Sequence, residues 1–249
     1  MTALLVSAAV VALGACVQSA VGFGIGLVGV PLLLWAGRPL PEAVALMLGA
    51  AAVQTGYGTY VTRAHIVRRR ALTMAPMQWA GITVGVVGMG ALTEYGPGTV
   101  KQIVSALVLL VILVRIAVRP RPTAALHPAW TAAAAGSSGA MAGLAGMGGP
   151  PLVLYAMAHG WPPDAFRGFL WCQFLLAVPA LVAALALKFG AEVLLTFGLG
   201  VALAPCTWLG ARAGLALSSG WTATRRRRLA TAMLLAIAVT GLSAPYFGP

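Results

Sequence analysis

Acidic side chains are almost absent from this chain of 249 residues, which carries four Asp and Glu against sixteen Lys and Arg. Each acid lies beside a turn residue such as Pro or Gly, and none falls in the middle of an apolar segment: Glu42, Glu94, Asp164 and Glu192. A buried proton relay, a carboxylate-bound metal and hydrolysis by paired carboxylates all need acids inside the structure. The sequence therefore argues against these three kinds of site.

Charge of either sign is also scarce, since 8% of the residues are charged and 60% are hydrophobic. Soluble domains carry roughly 25% charged residues, because even a large core needs a polar shell around it. This chain has too few polar groups to cover a globular surface in water. The composition predicts an all-α polytopic membrane protein rather than a soluble enzyme.

Cysteine and histidine, with three residues each, form no pattern of metal ligands and no CxxC pair. Gly24-x-Gly26-x-x-Gly29 matches the dinucleotide fingerprint, but the strand and the following acid that give this motif its function are missing. Ser137 and Ser138 with the distant His159 make a weak case for a serine hydrolase. The sequence thus predicts no cofactor, no metal and no enzymatic activity.

What the chain has in abundance is long apolar segments separated by Pro, Gly and Arg. There are eight, at residues 3–36, 42–62, 71–92, 100–118, 128–158, 164–187, 190–213 and 228–246. The first would span about 51 Å as one straight helix, whereas a hydrocarbon core is about 30 Å thick. Segments 3–36 and 128–158 both contain glycine clusters, which weaken helices, so we expect each to be broken there.

The two halves of the chain resemble each other. At one constant offset, Gly26 and Pro31 match Gly146 and Pro151, with further matches around them. Ala75-Pro76-x-x-Trp79-x-Gly81-x-x-x-Gly85 matches Ala204-Pro205-x-x-Trp208-x-Gly210-x-x-x-Gly214. These matches predict a duplication into a first transmembrane repeat, 1–120, and a second, 125–249.

The distribution of Lys and Arg predicts how the halves are oriented. If all eight segments cross once, the basic residues divide eight against eight between the two sides. If each glycine-broken segment turns back and exits where it entered, thirteen lie on one side and only Arg38, Lys101 and Lys188 on the other. Cytoplasmic loops are enriched in Lys and Arg, so we expect inverted repeats with both termini outside. On this interpretation the net charge of +12 marks cytoplasmic loops and not a nucleic-acid surface.

The predicted fold is therefore two inverted repeats, each a glycine-broken helix or re-entrant hairpin plus three transmembrane helices. Secondary transporters of this architecture bind substrate near the midplane at the breaks, where half-helix N-termini offer N–H groups that suit an anion. The predicted substrate-binding residues are Gln18, Ser19, Gly22, Phe23, Gly24, Gly26, Pro31, Ser137, Ser138, Gly139, Gly143, Gly146, Gly148, Gly149 and Pro151.

Two alternatives stand beside this site. Glycines at Gly-x-x-x-Gly spacing, as at Gly22/Gly26 and Gly139/Gly143, also allow close helix packing. The weakly predicted path-lining residues are Gln54, Gln173, Trp79 and Trp208. Alternatively, the glutamines form bonds between helices, and the tryptophans are packing or interface anchors.

With these motifs the chain resembles the TauE/SafE family of membrane transporters over nearly its whole length. The resemblance rests on a glycine-rich opening of each half before Pro-Leu, at Gly22–Gly26 with Pro31-Leu32 and at Gly146–Gly149 with Pro151-Leu152. The first glycine run is diluted by Phe23 and Ile25. The resemblance implies export of sulfite or an organosulfonate.

We therefore expect a multi-pass protein of the bacterial plasma (inner) membrane whose partners are the lipid bilayer and a small anion, without nucleic acid. The expected function is export of a small sulfur-containing anion by alternating access. A membrane scaffold or maturation factor that does not transport, and an anion channel, are the alternatives.

Overall fold

The computed structural model describes residues 2–21, 24–118, 122–123, 126–222, 231–232, 234–236, 238–240 and 242. Their secondary structure is helical, with one short 3₁₀ turn at Arg63–His65. The helices are α1 (Thr2–Val21), α2 (Ile25–Trp35), α3 (Leu40–Val61), α4 (Arg68–Thr93), α5 (Pro97–Ala117), α6 (Pro128–Ala145), α7 (Gly149–Ala158), α8 (Pro163–Phe189), α9 (Glu192–Ala202) and α10 (Ala204–Ser218).

Both over-long apolar segments are divided at their glycine clusters. Segment 3–36 divides into α1 and α2, and segment 128–158 divides into α6 and α7. Gly24, with φ of 115°, precedes α2, and Gly146, with φ of 69°, ends α6. Both values lie in the left-handed region, where a side chain would clash with the backbone. The glycines therefore allow the chain to leave one helix and begin another inside an apolar segment.

A third break lies where the sequence predicts one segment, 190–213. Here α9 and α10 are separated by Leu203 alone, and their axes differ by 50°. Pro205 stands near the start of α10, where its missing N–H is tolerated because the first turn of a helix has no partner for it. The sequence predicts one apolar segment here and no break within it, whereas the structure bends it by 50°.

The helices of one half pack mainly against helices of the other. α4 lies along α6, α1 lies along α10, and α3 contacts both α8 and α9. Glycines make the closest approaches: a Cβ on Gly81 or Gly85 of α4 would overlap the backbone of α6, and one on Gly210 of α10 would overlap that of α1. Helix backbones approach this closely in membranes where small residues line the contact.

Four of the described helices are long and apolar enough to cross a bilayer, namely α1, α4, α5 and α8, and the bent pair α9–α10 makes a fifth. α2 and α7 are apolar but too short to cross alone. Several apolar helices of spanning length in one chain are typical of a polytopic membrane protein, as the composition predicts.

Candidate functional site at the two helix breaks

The two glycine breaks meet inside the molecule. A Cβ added to Gly26, in the first turn of α2, would overlap the carbonyl oxygen of Gly146, which ends α6. Val30 and Val44 close around Gly146 from α2 and α3. The chain thus brings together Gly26 and Gly146, which the sequence pairs at equivalent places in the two halves.

The first break has a side-chain cap. The N–H of Ile25, the first residue of α2, donates to Oε1 of Gln18 at 3.0 Å. Gln18 belongs to α1 and is only 3% exposed. Its amide oxygen therefore satisfies one of the N–H groups that a helix start leaves without an intrahelical acceptor. The next two backbone N–H groups in the first turn of α2 belong to Gly26 and Leu27.

The second break offers fewer donors. α7 begins at Gly149, and the next two residues are Pro150 and Pro151. Proline carries no N–H. Of the four groups that normally point out of a helix N-terminus, only those of Gly148 and Gly149 exist here. The positive end of α7 is thus poorer in hydrogen-bond donors than that of α2.

A chain of buried polar side chains leads away from the second break. Ser138 Oγ donates to the carbonyl oxygen of Gly148 at 2.6 Å, and Gln78 Nε2 donates to Ser138 Oγ at 3.2 Å. Gln173 Nε2 donates in turn to Gln78 Oε1 at 2.8 Å. These three side chains come from α6, α4 and α8 and are at most 1% exposed. The chain of bonds links the break to both halves.

The chain of bonds ends on an unsatisfied acceptor. Gln173 Oε1 is buried and has no hydrogen-bond partner among the described residues. Leaving a buried acceptor unpaired costs about 1–3 kcal/mol. Such groups are rare in folded proteins and call for a specific explanation.

A similar arrangement flanks the first break. Gln54 Nε2, on α3, donates to Ser19 Oγ at 2.9 Å and reaches the carbonyl oxygen of Ala15 at 3.5 Å. Both acceptors lie on α1, near its end. Gln54 Oε1 is buried and, like that of Gln173, has no partner among the described residues. A glutamine thus lies beside the serine that precedes each break, Gln54 at the first and Gln78 at the second. Both glutamines come from the first half of the chain.

Other predicted site residues lie apart from this meeting point. Gly139 and Gly143 contact the backbone of α4, as close helix packing requires. Ser137 is exposed and donates to the carbonyl oxygens of Ala133 and Ala134 of its own helix. Pro31 is buried inside α2, whereas Pro151 stands in the first turn of α7. Gly22 and Phe23 lie outside the described residues.

The two predicted path-lining tryptophans are exposed, Trp79 by 42% and Trp208 by 55%. Trp79 Nε1 donates to the carbonyl oxygen of Leu176 at 2.9 Å, three residues before Pro179 of α8. The Arg212 guanidinium lies 4.8 Å from the centre of the Trp208 ring. The Trp79 bond is thus an anchor between α4 and α8, whereas the Trp208 contact lies within α10. Anchoring is the alternative that the sequence leaves open for these residues.

Two features of the structure are not part of the predicted site. The first is Gln78, the middle member of the buried chain. Its position in the middle of an apolar segment is the sequence signal that could have added it to the predicted site. A pocket of about 430 Å³ also opens beside Arg38, which donates to buried Ser7 at 3.1 Å and pairs with Glu42 at 3.3 Å. Because Ser7 and Arg38 are far apart in the sequence, no sequence motif predicts their contact.

Comparison with protein families identifies the chain. The model of the sulfite exporter TauE/SafE family matches residues 6–241. The chain belongs to the TauE/SafE family. The match covers both helix breaks, all ten helices except the first residues of α1, and the buried chain of glutamines. Membership in TauE/SafE makes the protein a membrane transporter by family and agrees with its apolar helices. Neither curated proteins nor solved structures gave a significant match.

Proposed function

We propose that this TauE/SafE protein is a secondary transporter that exports a small sulfur-containing anion, such as sulfite or an organosulfonate. The observation that carries the proposal is the meeting of the two helix breaks at Gly26 and Gly146 in a member of this family. Broken backbone inside a membrane must be satisfied by protein, water or ligand. The N–H groups at the start of α2 are suited to an oxyanion.

The absence of acids near the breaks supports an anionic substrate. The described residues that contact the two breaks include Gln18, Val30, Val44, Gln78 and Ser138, and none of these five is acidic. A carboxylate at the same place would repel an anion strongly, because charges interact much more strongly in a medium of low dielectric constant. The proposed substrate-binding residues remain those of the two breaks, with Gln54 and Gln173 beside them.

We further propose that 1–120 and 125–249 are inverted repeats that alternate access to the breaks. The pattern of helix packing supports this, since α4 of the first half packs on α6 while α10 of the second half packs on α1. In the sequence comparison α4 corresponds to α9–α10, and α1 corresponds to α6. The packing is thus unchanged when the two halves are exchanged, as a two-fold relation requires. The expected location is the bacterial plasma membrane, with both termini on the outer side of that membrane.

The orientation is tested by single cysteines at Arg69 and Ser219, after replacement of Cys16, Cys172 and Cys206. Both positions should react with a membrane-impermeant thiol reagent from the cytoplasmic side. Arg69 lies at the start of α4 and Ser219 just after α10. Labelling from opposite sides would contradict the inverted arrangement.

Transport is tested by efflux of labelled sulfite from vesicles that contain the purified protein, with sulfoacetate, sulfate and thiosulfate as competitors. We expect saturable efflux. A membrane scaffold would give none, and an anion channel would give ionic current without saturation, so either result would contradict the proposal.

A further inference from the structure

The direction of the buried hydrogen-bond chain follows from the one atom in it that can only accept. The carbonyl oxygen of Gly148 has no proton to give, so Ser138 must donate its only hydroxyl proton there. Ser138 Oγ must then accept from the next member, which requires Gln78 to present its NH₂ group to the serine. Gln78 Oε1 consequently faces Gln173 and accepts from its NH₂ group. Flipping any of these amides would set two donors or two acceptors against each other.

The free end of the chain is therefore an acceptor, Gln173 Oε1. It is buried, the side chain is 0% exposed, and no described residue donates to it. Three hydrogen bonds separate it from the carbonyl oxygen of Gly148 in the second break. Gln54 repeats the pattern beside the first break, because its NH₂ group is held by Ala15 and Ser19 and its oxygen is left unpaired.

An acceptor whose orientation is fixed selects for a proton on any anion that reaches it. A fully deprotonated oxyanion has only acceptors and would place one of them against Gln173 Oε1, which costs the hydrogen bond and adds repulsion. A monoanion that keeps one O–H group can donate that proton to the glutamine. Its negative oxygens remain free for N–H donors elsewhere on the path.

We propose that Gln173 Oε1 accepts a hydrogen bond from the cargo and that the cargo is an oxyanion that retains one acidic O–H group. This inference rests on the proposed transport function and deepens it. Gln173 is then a specificity-determining residue, held in orientation by Gln78 and Ser138. The proton travels with the anion, so the cargo carries it across without a membrane-buried carboxylate.

The test is a competition in vesicles that contain the full-length protein, in mildly acidic buffer where sulfite is present mainly as hydrogen sulfite. Labelled hydrogen sulfite efflux is measured against methanesulfonate, a monoanion without an O–H group, and against sulfate. We expect the wild-type protein to prefer hydrogen sulfite over methanesulfonate by roughly tenfold or more, the value of one hydrogen bond to a charged group. Equal competition by methanesulfonate would overturn the inference, and this arm needs no variant.

The second arm compares Gln173→Met with Thr55→Val. The methionine has similar length but offers no strong acceptor, so the preference for hydrogen sulfite should collapse toward unity. Thr55 is equally buried but bonds only to its own helix, at Ala51 and Ala52, so its variant should keep the preference. A Gln173→Met protein that transports with the wild-type preference would overturn the assignment of Gln173. If the wild-type protein moves none of the anions, the proposed function itself is wrong, and the inference falls with it.

Discussion

The two helix breaks look alike in sequence but use their polar side chains in opposite ways. At the first break, Gln18 Oε1 accepts a hydrogen bond from the backbone N–H of Ile25. At the second, Ser138 Oγ donates a hydrogen bond to the backbone carbonyl oxygen of Gly148. One break therefore has a donor satisfied and the other has an acceptor satisfied. The difference teaches that glycine clusters of similar composition can build two ends of one site with different hydrogen-bonding capacity.

The difference extends to the helices that follow. α2 begins with residues that all carry an N–H, whereas α7 has Pro150 and Pro151 in its first turn. An anion that binds where the breaks meet would thus find its backbone donors mainly on α2. The acceptor at the end of the Ser138–Gln78–Gln173 chain lies on the side of the second break. Variants at four positions test this contrast.

The largest effect is expected for Gly26→Ala. Its Cβ would overlap the backbone carbonyl of Gly146, which cannot rotate away as a side chain could. Overpacking of this kind costs about 1–3 kcal/mol, so thermal unfolding in detergent should occur at a clearly lower temperature. The matched control is Gly56→Ala on α3, where a Cβ meets nothing within 4 Å. That variant should gain up to about 1 kcal/mol, because alanine favours the helix. Equal melting of the two variants would mean that the breaks do not touch.

The second-largest loss of stability is expected for Ser138→Ala. It leaves the carbonyl of Gly148 without its side-chain donor and the NH₂ group of Gln78 without its acceptor, at a cost of about 1–3 kcal/mol. The neighbouring Ser137→Ala is the control, since Ser137 is exposed and bonds only within its own helix. It should change stability by less than about 0.5 kcal/mol. Chemical unfolding of both variants measures the difference, and a neutral Ser138→Ala would remove the basis for the directed chain.

Two variants of Gln18 distinguish the effect of the helix cap at the first break from the effect of a charge there. Gln18→Leu removes the acceptor of Ile25 N–H and should cost about 0.5–2 kcal/mol, the value of a helix cap. Gln18→Glu keeps an acceptor at the same place but adds a negative charge, so it should retain more stability than the leucine variant while binding sulfite more weakly. Unfolding and sulfite-binding measurements on the same preparations decide this. Wild-type sulfite affinity in a folded Gln18→Glu protein would place the anion elsewhere.

The smallest effect is expected at the corner that follows α2. Arg38 and Glu42 form an i,i+4 ion pair at 3.3 Å whose side chains are 22% and 43% exposed. Partly exposed pairs of this kind contribute only about 0.3–0.5 kcal/mol. Glu42→Gln should therefore melt within a degree or so of the wild-type protein. Among the described residues, the corresponding corner after α7 shows no such pair but an aromatic cluster of Tyr155, His159, Trp161 and Phe169. A large loss in Glu42→Gln would show that the first corner depends on charge more than its exposure suggests.

The sequence predicts the helical class and the positions of two breaks well because both follow from local properties. Runs of apolar residues longer than a bilayer is thick cannot remain one helix when glycine interrupts them. The exact residue at which each helix ends or begins is harder to predict from the sequence. Gly26 lies inside α2, whereas its sequence match, Gly146, ends α6. Glycine permits both conformations and specifies neither.

The contacts of the site were beyond sequence reasoning for a different reason. Gln78 and Gln173 are 95 residues apart, and Gln78 and Ser138 are 60 apart. Only the packing of α4 between α6 and α8 brings them together. The bend at Leu203 was missed although Gly198 and Gly200 lie just before it, because segment 190–213 has the length of a single span and gives no reason to expect a break.

Equilibrium binding of labelled sulfite to purified Gly26→Ala and Gly210→Ala proteins tests the central claim most directly. In both variants the added Cβ would overlap a neighbouring backbone carbonyl oxygen, that of Gly146 for Gly26→Ala and that of Ala12 for Gly210→Ala. Only Gly26 lies at the breaks. We expect sulfite affinity to fall at least roughly tenfold, or about 1.4 kcal/mol, in Gly26→Ala and to stay near the wild-type value in Gly210→Ala. Equal affinities in the two variants would contradict a substrate site where the two breaks meet.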